Sequence, residues 1–434
     1  MTPTRRFKNI LGASAGNFVE WYDWFAYASF AIYFSRAFFP AGDQTAQLLN
    51  TAFIFAGGFV ARPIGALLFG MYADRRGRRS ALILSVTMMC GGSLMIALTP
   101  TGLGFVSPLL LIIARLLQGF AVGGEYGASA TYVSEMASAA HRGFRSGVLY
   151  VTLIGGQLLA MALLVVLQYV LGDEAFYAWG WRLPFVIGAG LAVVVFWIRH
   201  GIEETRAFSN TTVEIHARGR PLALLVEYPR QTAIVLGLTA AGAMGFYTYA
   251  VYMQKLLVNT VGLDRAVVSA LMTKVLATLL FFPPLLGWVA DYVGHKRTLL
   301  IAFAGSAGLA VPVLSTISST TDPFKVYLLC LLPLFFLSGY YALSATIKAE
   351  LYPAHVRAIG VSLPYAVALA IFGGNAETAA LYFKTIGMEA GYYWLVTAIF
   401  VVGFIAAACL PEPVRGERSS GIPTPVKRAS QAQQ

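Results

Sequence analysis

The chain has 434 residues, 58% of them hydrophobic and only 12% charged, where an ordinary soluble domain carries roughly 25% charged residues. That balance excludes a soluble globular protein, a disordered chain, a fibre and a disulfide scaffold. The formal net charge of +11 would suggest nucleic acid in a soluble protein, but where the charges sit gives it another origin.

A bilayer core of roughly 30 Å takes about 20 apolar residues per helical crossing, so twelve crossings need about 240 residues, which this chain supplies with loops and two tails to spare. Apolar segments run over 10–34, 51–71, 80–98, 108–134, 146–170, 183–198, 231–258, 267–289, 298–314, 324–347, 359–381 and 391–410. Lipid admits only helices or closed barrels, and these runs do not alternate, so each reads as a helix. The opening Arg5, Arg6 and Lys8 before an apolar run superficially resemble a signal peptide. That run is long, carries Glu20 and Asp23 and has no convincing cleavage site, so it reads as a retained first span. Cys90, Cys330 and Cys409 all fall inside apolar runs and imply no disulfide framework. The longest polar interruption, Arg199 to Arg230, divides the spans six and six. The expected organisation is an N-terminal half over 1–198, a linker over 199–230, a C-terminal half over 231–410 and a disordered tail over 411–434.

Orientation follows from the basic residues. With both termini in the cytoplasm, 21 of the 31 Lys and Arg fall on that side and only Arg36, Arg182, Arg265, Lys325 and Lys384 on the other. The same asymmetry explains the net charge without nucleic acid. The two halves also carry an internal repeat. Gly70-Met-Tyr-Ala-Asp74-Arg-Arg-Gly77 recurs as Gly287-Trp-Val-Ala-Asp291-Tyr-Val-Gly294, an offset of 217 residues. Glu135 and Arg142 recur as Glu350 and Arg357, and Gly155-Gly156-Gln157 as Gly373-Gly374-Asn375, at offsets of 215 and 218. The expected fold is therefore all-α and polytopic, with twelve transmembrane helices in two pseudo-symmetric six-helix halves and a substrate site near the midplane between them.

The loop Gly70-x-x-x-Asp74-Arg75-x-Gly77-Arg78-Arg79 resembles the signature of the major facilitator superfamily, and Arg115-x-x-x-Gly119-x-x-x-Gly123 resembles its second motif. Gly16-Asn17-Phe-Val-Glu20-Trp-Tyr-Asp23, Arg62-Pro63-Ile-Gly65 and Gly123-Gly124-Glu125-Tyr126-Gly127 are similar to the metabolite:proton symporter family. Within that family, Tyr150-Val-Thr-Leu-Ile-Gly-Gly-Gln157, Phe246-Tyr247-Thr248 and Tyr252-Met-Gln-Lys255 resemble its α-ketoglutarate carriers, while Lys274 departs from them. The resemblance spans essentially all twelve segments. It implies a proton-coupled symporter of a small dicarboxylate in the bacterial inner membrane, with a functional monomer as its working form.

The residues themselves narrow the chemistry. All five histidines lie in or beside predicted cytoplasmic loops, so a coupling proton must ride on a carboxylate. Asp23, Glu20, Glu125 and Glu377 are the deep carboxylates and the candidate proton carriers. Ionisable groups inside a span line a polar path or pair with each other. Arg62, Arg115 and Lys274 are the deep cations, and an arginine fork holds a carboxylate through two parallel hydrogen bonds. These three, with the amides Gln157 and Asn375 and the aromatics Tyr27 and Tyr247, form the candidate substrate set; Trp24 and Tyr252 are further pocket candidates. A fixed ion pair that only ties helices together is the alternative for each charged residue. Lys255 and Lys348, nearer helix ends, read as snorkelling side chains. Gly119, Gly123 and Gly127 form a small-residue face for close helix approach.

Asp74, Arg75, Arg78, Glu135, Arg142, Asp291, Lys296, Glu350 and Arg357 form the candidate gate at the inner face. The superfamily resemblance implies contacts there that break and re-form in each cycle. Individually weak surface ion pairs suit that duty. No phosphate-binding loop, nucleophile elbow or metal-ligand spacing is present in the sequence, so neither an enzyme nor a cofactor or metal is expected. The expected partners are a small organic acid, the proton and membrane lipid. Citrate-like or shikimate-like acids are the alternative substrates, and a channel or membrane enzyme the alternative class.

Overall fold

The structure, a computed structural model, describes residues 3–40, 43–76, 78–136, 142–200, 227–353 and 356–411. The N-terminal half consists of α1 (Pro3–Phe38), α2 (Gln44–Arg76), α3 (Arg78–Leu98), α4 (Val106–Met136), α5 (Arg142–Ala178) and α6 (Leu183–His200). In the C-terminal half three of the six crossings are interrupted. The seventh runs α7 (Pro229–Phe246), a π-helical turn (Tyr247–Tyr252) and α8 (Met253–Asn259). The eighth is α9 (Arg265–Leu279) followed by α10 (Phe282–Val293), broken where Pro283 and Pro284 cannot donate to the preceding turn. Then come α11 (His295–Ser318) and α12 (Pro323–Glu350). The eleventh crossing is α13 (Arg357–Ala368), a π-helical turn (Leu369–Gly373) and α14 (Gly374–Thr385), and α15 (Glu389–Ala408) is the last.

The twelve expected spans are all present, and the described residues contain no strand. Among the described residues, ten helical segments are long and apolar enough by themselves to cross a membrane, with Ile83–Leu98 a shorter apolar helix beside them. The segment 201–226 and the tail from 412, which cover most of the expected linker and tail, lie outside the described residues.

Glycine decides how closely the helices pack. A Cβ on Gly119 would stand 2.0 Å from the Gly58 carbonyl oxygen, and one on Gly123 2.1 Å from that of Arg62. The small-residue face of α4 thus lies backbone to backbone against α2, as its spacing predicts.

The halves meet in the same manner where α5 begins and α10 ends. A Cβ on Gly287 would lie 2.3 Å from the Gly143 oxygen, and one on Gly147 2.4 Å from the Pro283 oxygen. Asp291 closes this contact by accepting hydrogen bonds from the backbone N–H groups of Gly143 (2.9 Å) and Phe144 (3.2 Å). Those amides belong to the first turn of α5, where four N–H groups lack helical partners and negative charge is favoured. At the opposite end Lys255 donates to the Ala28 carbonyl (2.7 Å) and Asn259 to Thr45 Oγ1 (3.2 Å). Contacts between the halves thus stand on both sides of the centre.

Gly287→Ala forces the α5–α10 contact apart, at a cost of about 1–3 kcal/mol for a methyl group without room. A cysteine replacing the buried Ser146 beside that contact, a substitution that adds no Cβ, should then react faster with maleimide in the Gly287→Ala background than in its absence. Equal rates would show that these backbones are not in contact.

Candidate functional site

The close approach of α2 and α4 brings two arginines to one ring of α1. The guanidinium carbon of Arg62 lies 3.8 Å from the Trp24 ring centroid and that of Arg115 4.0 Å from it. Phe59 adds a second ring to Arg62 at 4.3 Å, and Tyr27 a second to Arg115 at 4.5 Å. Both arginines are buried, Arg62 at 3% and Arg115 at 0% exposure. Their Nε and Nη2 atoms have no hydrogen-bond partner. A desolvated cation costs several kcal/mol, of which a good cation–π contact returns about 2 kcal/mol. The remaining N–H groups are unused donors suited to an anion.

A chain of hydrogen bonds joins Arg115 to a carboxylate. Arg115 donates to Gln118 Oε1 (2.7 Å), and Gln118 Nε2 donates to Asp23 Oδ2 (2.6 Å) and to Ser93 Oγ (3.0 Å). Ser93 in turn donates to the other oxygen of Asp23. The chemistry fixes the orientation of the amide: a guanidinium only donates and a carboxylate only accepts, so Gln118 must present oxygen to Arg115 and nitrogen to Asp23. All four residues are buried. Ser93 and Gln118 are absent from the sequence-derived candidates, although Gln118 stands three residues after Arg115, on the same helical face.

Two cavities adjoin this cluster. One is lined by Asn17, Glu20, Arg62, Ser362 and Ala366, the other by Phe25, Tyr150, Tyr247, Tyr340 and Ser344. Trp21, Tyr365 and Leu369 line both. Arg62 and Glu20 therefore share one cavity, while Tyr247 belongs to the other. Gln157 reaches across the halves to donate to the Ala250 carbonyl (2.6 Å), and its Oε1 has no partner. Tyr27 donates to the Thr51 carbonyl (3.1 Å) while its ring supports Arg115.

Other candidates lie elsewhere. Lys274 is exposed, on the α9–α10 stripe that also carries Phe281, Leu285, Trp288 and Tyr292. That stripe is apolar and exposed too, so burial along it does not follow apolarity, and Lys274 lines neither of the two cavities. Asn375 is exposed as well, and donates to the Ala370 (3.0 Å) and Ile371 (3.1 Å) carbonyls. Those oxygens belong to the π-helical turn, where widened winding leaves carbonyls in need of a donor. Glu377 is tied to Lys255 by a 3.0 Å ion pair.

Lys255 and Lys348 correct the snorkelling reading, since both are 0% exposed. Position near a helix end did not bring them to the surface, because neighbouring helices cover those ends. Among the candidate gate residues, Asp291 meets the α5 backbone amides and, one turn on, His295 Nε2 at 3.5 Å, and Lys296 donates to the Leu410 carbonyl (2.7 Å). Glu350 stands exposed at the end of α12. The side chains of Asp74, Arg75, Arg78, Glu125, Glu135, Arg142 and Arg357 lie outside the described residues.

Comparison with known proteins identifies the family. The family described as sugar (and other) transporter matches residues 8–220 and 209–414. The chain belongs to this transporter family. It is 46% identical over 416 residues to the alpha-ketoglutarate permease of Escherichia coli (strain K12), covering 95% of this chain and 96% of that protein. It is 32% identical over 415 residues to a citrate-proton symporter of Salmonella typhi, covering 93% and 94%. Among solved structures it is similar to the major facilitator superfamily proton:xylose symporter XylE bound to 6-bromo-6-deoxy-D-glucose, with a TM-score of 0.72 at 18% identity, over 93% of this chain and 95% of that one. The last likeness concerns the fold, and it is the two-half, twelve-helix fold described above.

Within this transporter the Arg115–Gln118–Asp23 chain is directly testable. Gln118→Leu leaves a buried donor and a buried acceptor unpaired, at a cost of about 1–3 kcal/mol, and should lower the melting temperature of the purified protein in detergent. A variant as stable as the parent would show that the chain of bonds does not form.

Proposed function

We propose that this protein is a proton-coupled symporter that brings a small dicarboxylate, α-ketoglutarate foremost, into a bacterial cell by alternating access. One observation carries the reading: two buried arginines hold unused N–H donors, and one of them is wired through Gln118 to a buried carboxylate. A dianion suits two cationic anchors. The permease relative at 46% identity supports the substrate, and the symporter relatives support coupling to protons.

The wiring supplies a coupling mechanism. A substrate carboxylate that recruits Arg115 draws it from Gln118, and a proton that neutralises Asp23 weakens the other end of the same chain. Each event therefore favours the other, as linkage requires of two coupled binding steps. Asp23 is the principal proton carrier in this scheme. Glu20, beside Arg62, and Glu125 are the other candidates, whereas Glu377 serves with Lys255 as a tie at the opposite end. Gln157, Tyr27 and Tyr247 shape and orient the bound acid.

The halves 1–198 and 231–410 rock as two bodies about this centre, joined by the linker 199–230. Both termini and the Asp74 and Asp291 motifs face the cytoplasm, in line with the basic-residue count. The gate there comprises Asp291 at the start of α5 together with Asp74, Arg75, Arg78, Glu135, Arg142, Lys296, Glu350 and Arg357. The working unit is a monomer in the lipid of the inner membrane. A second reading, citrate as substrate, is favoured by the relatives of 32% and 34% identity named citrate-proton symporters.

Proteoliposomes containing the purified protein should accumulate labelled α-ketoglutarate when an inward proton gradient is imposed, with unlabelled α-ketoglutarate competing better than citrate, succinate or shikimate. Stronger competition by citrate would move the substrate to the second reading. Arg62→Ala should abolish uptake at unchanged membrane levels; robust uptake by this variant would remove Arg62 from the site. Asp23→Asn should retain substrate exchange and lose gradient-driven accumulation, and an accumulating variant would place the coupling proton on another carboxylate.

A further inference from the structure

Four cations are buried among the described residues: Arg62, Arg115, Lys255 and Lys348. Lys255 has its anion in Glu377, and the two arginines belong to the N-terminal half. Lys348 remains. It is 0% exposed, and among the described residues its Nζ has no carboxylate or carbonyl partner, the Tyr340 hydroxyl being the polar group it meets. Its surroundings are aromatic: Nζ lies 4.4 Å from the Tyr365 ring centroid and 5.4 Å from that of Tyr340.

Two readings of such a lysine differ in what they require. In the last turn of α12 it can complement the negative end of the helix dipole, but that role is completed by donation to the terminal carbonyls, and no such bond is made. The side chain instead runs back along its helix, as long helical side chains do, to Tyr340 two turns earlier. Tyr340 lines one central cavity and Tyr365 lines both, including the one bordered by Arg62. Tyr365 therefore touches both the Lys348 ammonium and the cavity that Arg62 borders from the other half. A buried charge without a counter-charge is expensive, and aromatic faces offset part of the cost while keeping the ammonium free to exchange them for a stronger partner.

We propose that Lys348 is the anion anchor of the C-terminal half, leaving its tyrosine cage to take one carboxylate of the substrate while Arg62 holds the other. This rests on the organic-acid reading of the site and adds to it the residue that makes the second charge of the substrate count. A dicarboxylate held this way ties the two halves together through its own length. A monocarboxylate reaches one half only.

The test is binding to the purified full-length protein in detergent, by calorimetry and by ligand-induced shift of the melting temperature. The probes are α-ketoglutarate and 2-oxopentanoate, which keeps the open five-carbon keto-acid chain and loses one charge. Lys348→Met should weaken α-ketoglutarate binding by about 10- to 100-fold, the range of a lost charge-assisted hydrogen bond, while leaving binding of the monoacid close to that of the parent protein. Without ligand the Met variant should melt at or above the parent temperature, because a desolvated charge has been replaced by an apolar side chain of similar size. Lys348→Arg should recover most of the preference for the dianion. A Met variant that binds α-ketoglutarate as the parent does, or that loses both ligands equally with a lowered melting temperature, overturns the proposal alone. A parent protein that binds neither probe overturns the organic-acid reading, and this proposal with it.

Discussion

Everything at the centre of this protein is arranged around two positive charges that share one indole ring. Arg62 and Arg115 approach Trp24 to within about the thickness of a stacked pair, in a region where water is scarce and each charge is costly to hold. The constraint propagates outwards. Backbone contact between α2 and α4 at Gly119 and Gly123 is needed to bring both guanidinium groups to the same ring. Phe59 and Tyr27 must occupy the flanks, and Asp23 must reach Arg115 through an amide rather than directly. The indirect link leaves the guanidinium with donors to spare, which a bidentate salt bridge would have consumed.

The C-terminal half answers with a different chemistry. Its crossings are interrupted by two π-helical turns, Tyr247–Tyr252 and Leu369–Gly373, one in the seventh and one in the eleventh span. The first faces the centre with Tyr247. The second presents Gly373 to the Tyr247 ring and is followed by Gly374, seated against Phe59 of the other half. Aromatic surface, more than charge, is what this half brings to the interface, and its Lys348, a buried cation with no carboxylate partner among the described residues, is itself held by tyrosine rings.

How much of this was legible in the sequence depends on dimensionality. Twelve crossings, their division six and six and the repeat of the halves are one-dimensional properties, carried by hydropathy and by motif offsets, and they were readable residue by residue. The burial of Arg62, Arg115 and Asp23 is legible too, because an ionisable side chain in an apolar run stands out. Lys274 stands out by the same rule and yet faces outward, since an apolar run does not reveal which of its faces is inside. Lys255 and Lys348 lie near helix ends along the chain but beneath other helices in space. Ser93 and Gln118 gave no signal of their own, as neutral polar residues are common in spans, and only the i, i+3 relation of Gln118 to Arg115 connected it to the site. Asn375 matched Gln157 in the repeat, but the π-helical turn before it uses its amide for backbone carbonyls.

The glycine contact between α5 and α10 has a consequence for energy conservation. A carrier driven by a proton gradient loses that gradient if protons can hop along a file of water molecules through the closed interface. A methyl carbon has no room between Gly143 and Gly287, or between Gly147 and Pro283, and a water molecule is of nearly the same size. While these backbones touch, the hydrogen-bonded wire has a missing link at that point. The seal is an insulator made chiefly of main chain, with the Asp291 carboxylate closing its edge on the Gly143 and Phe144 amides.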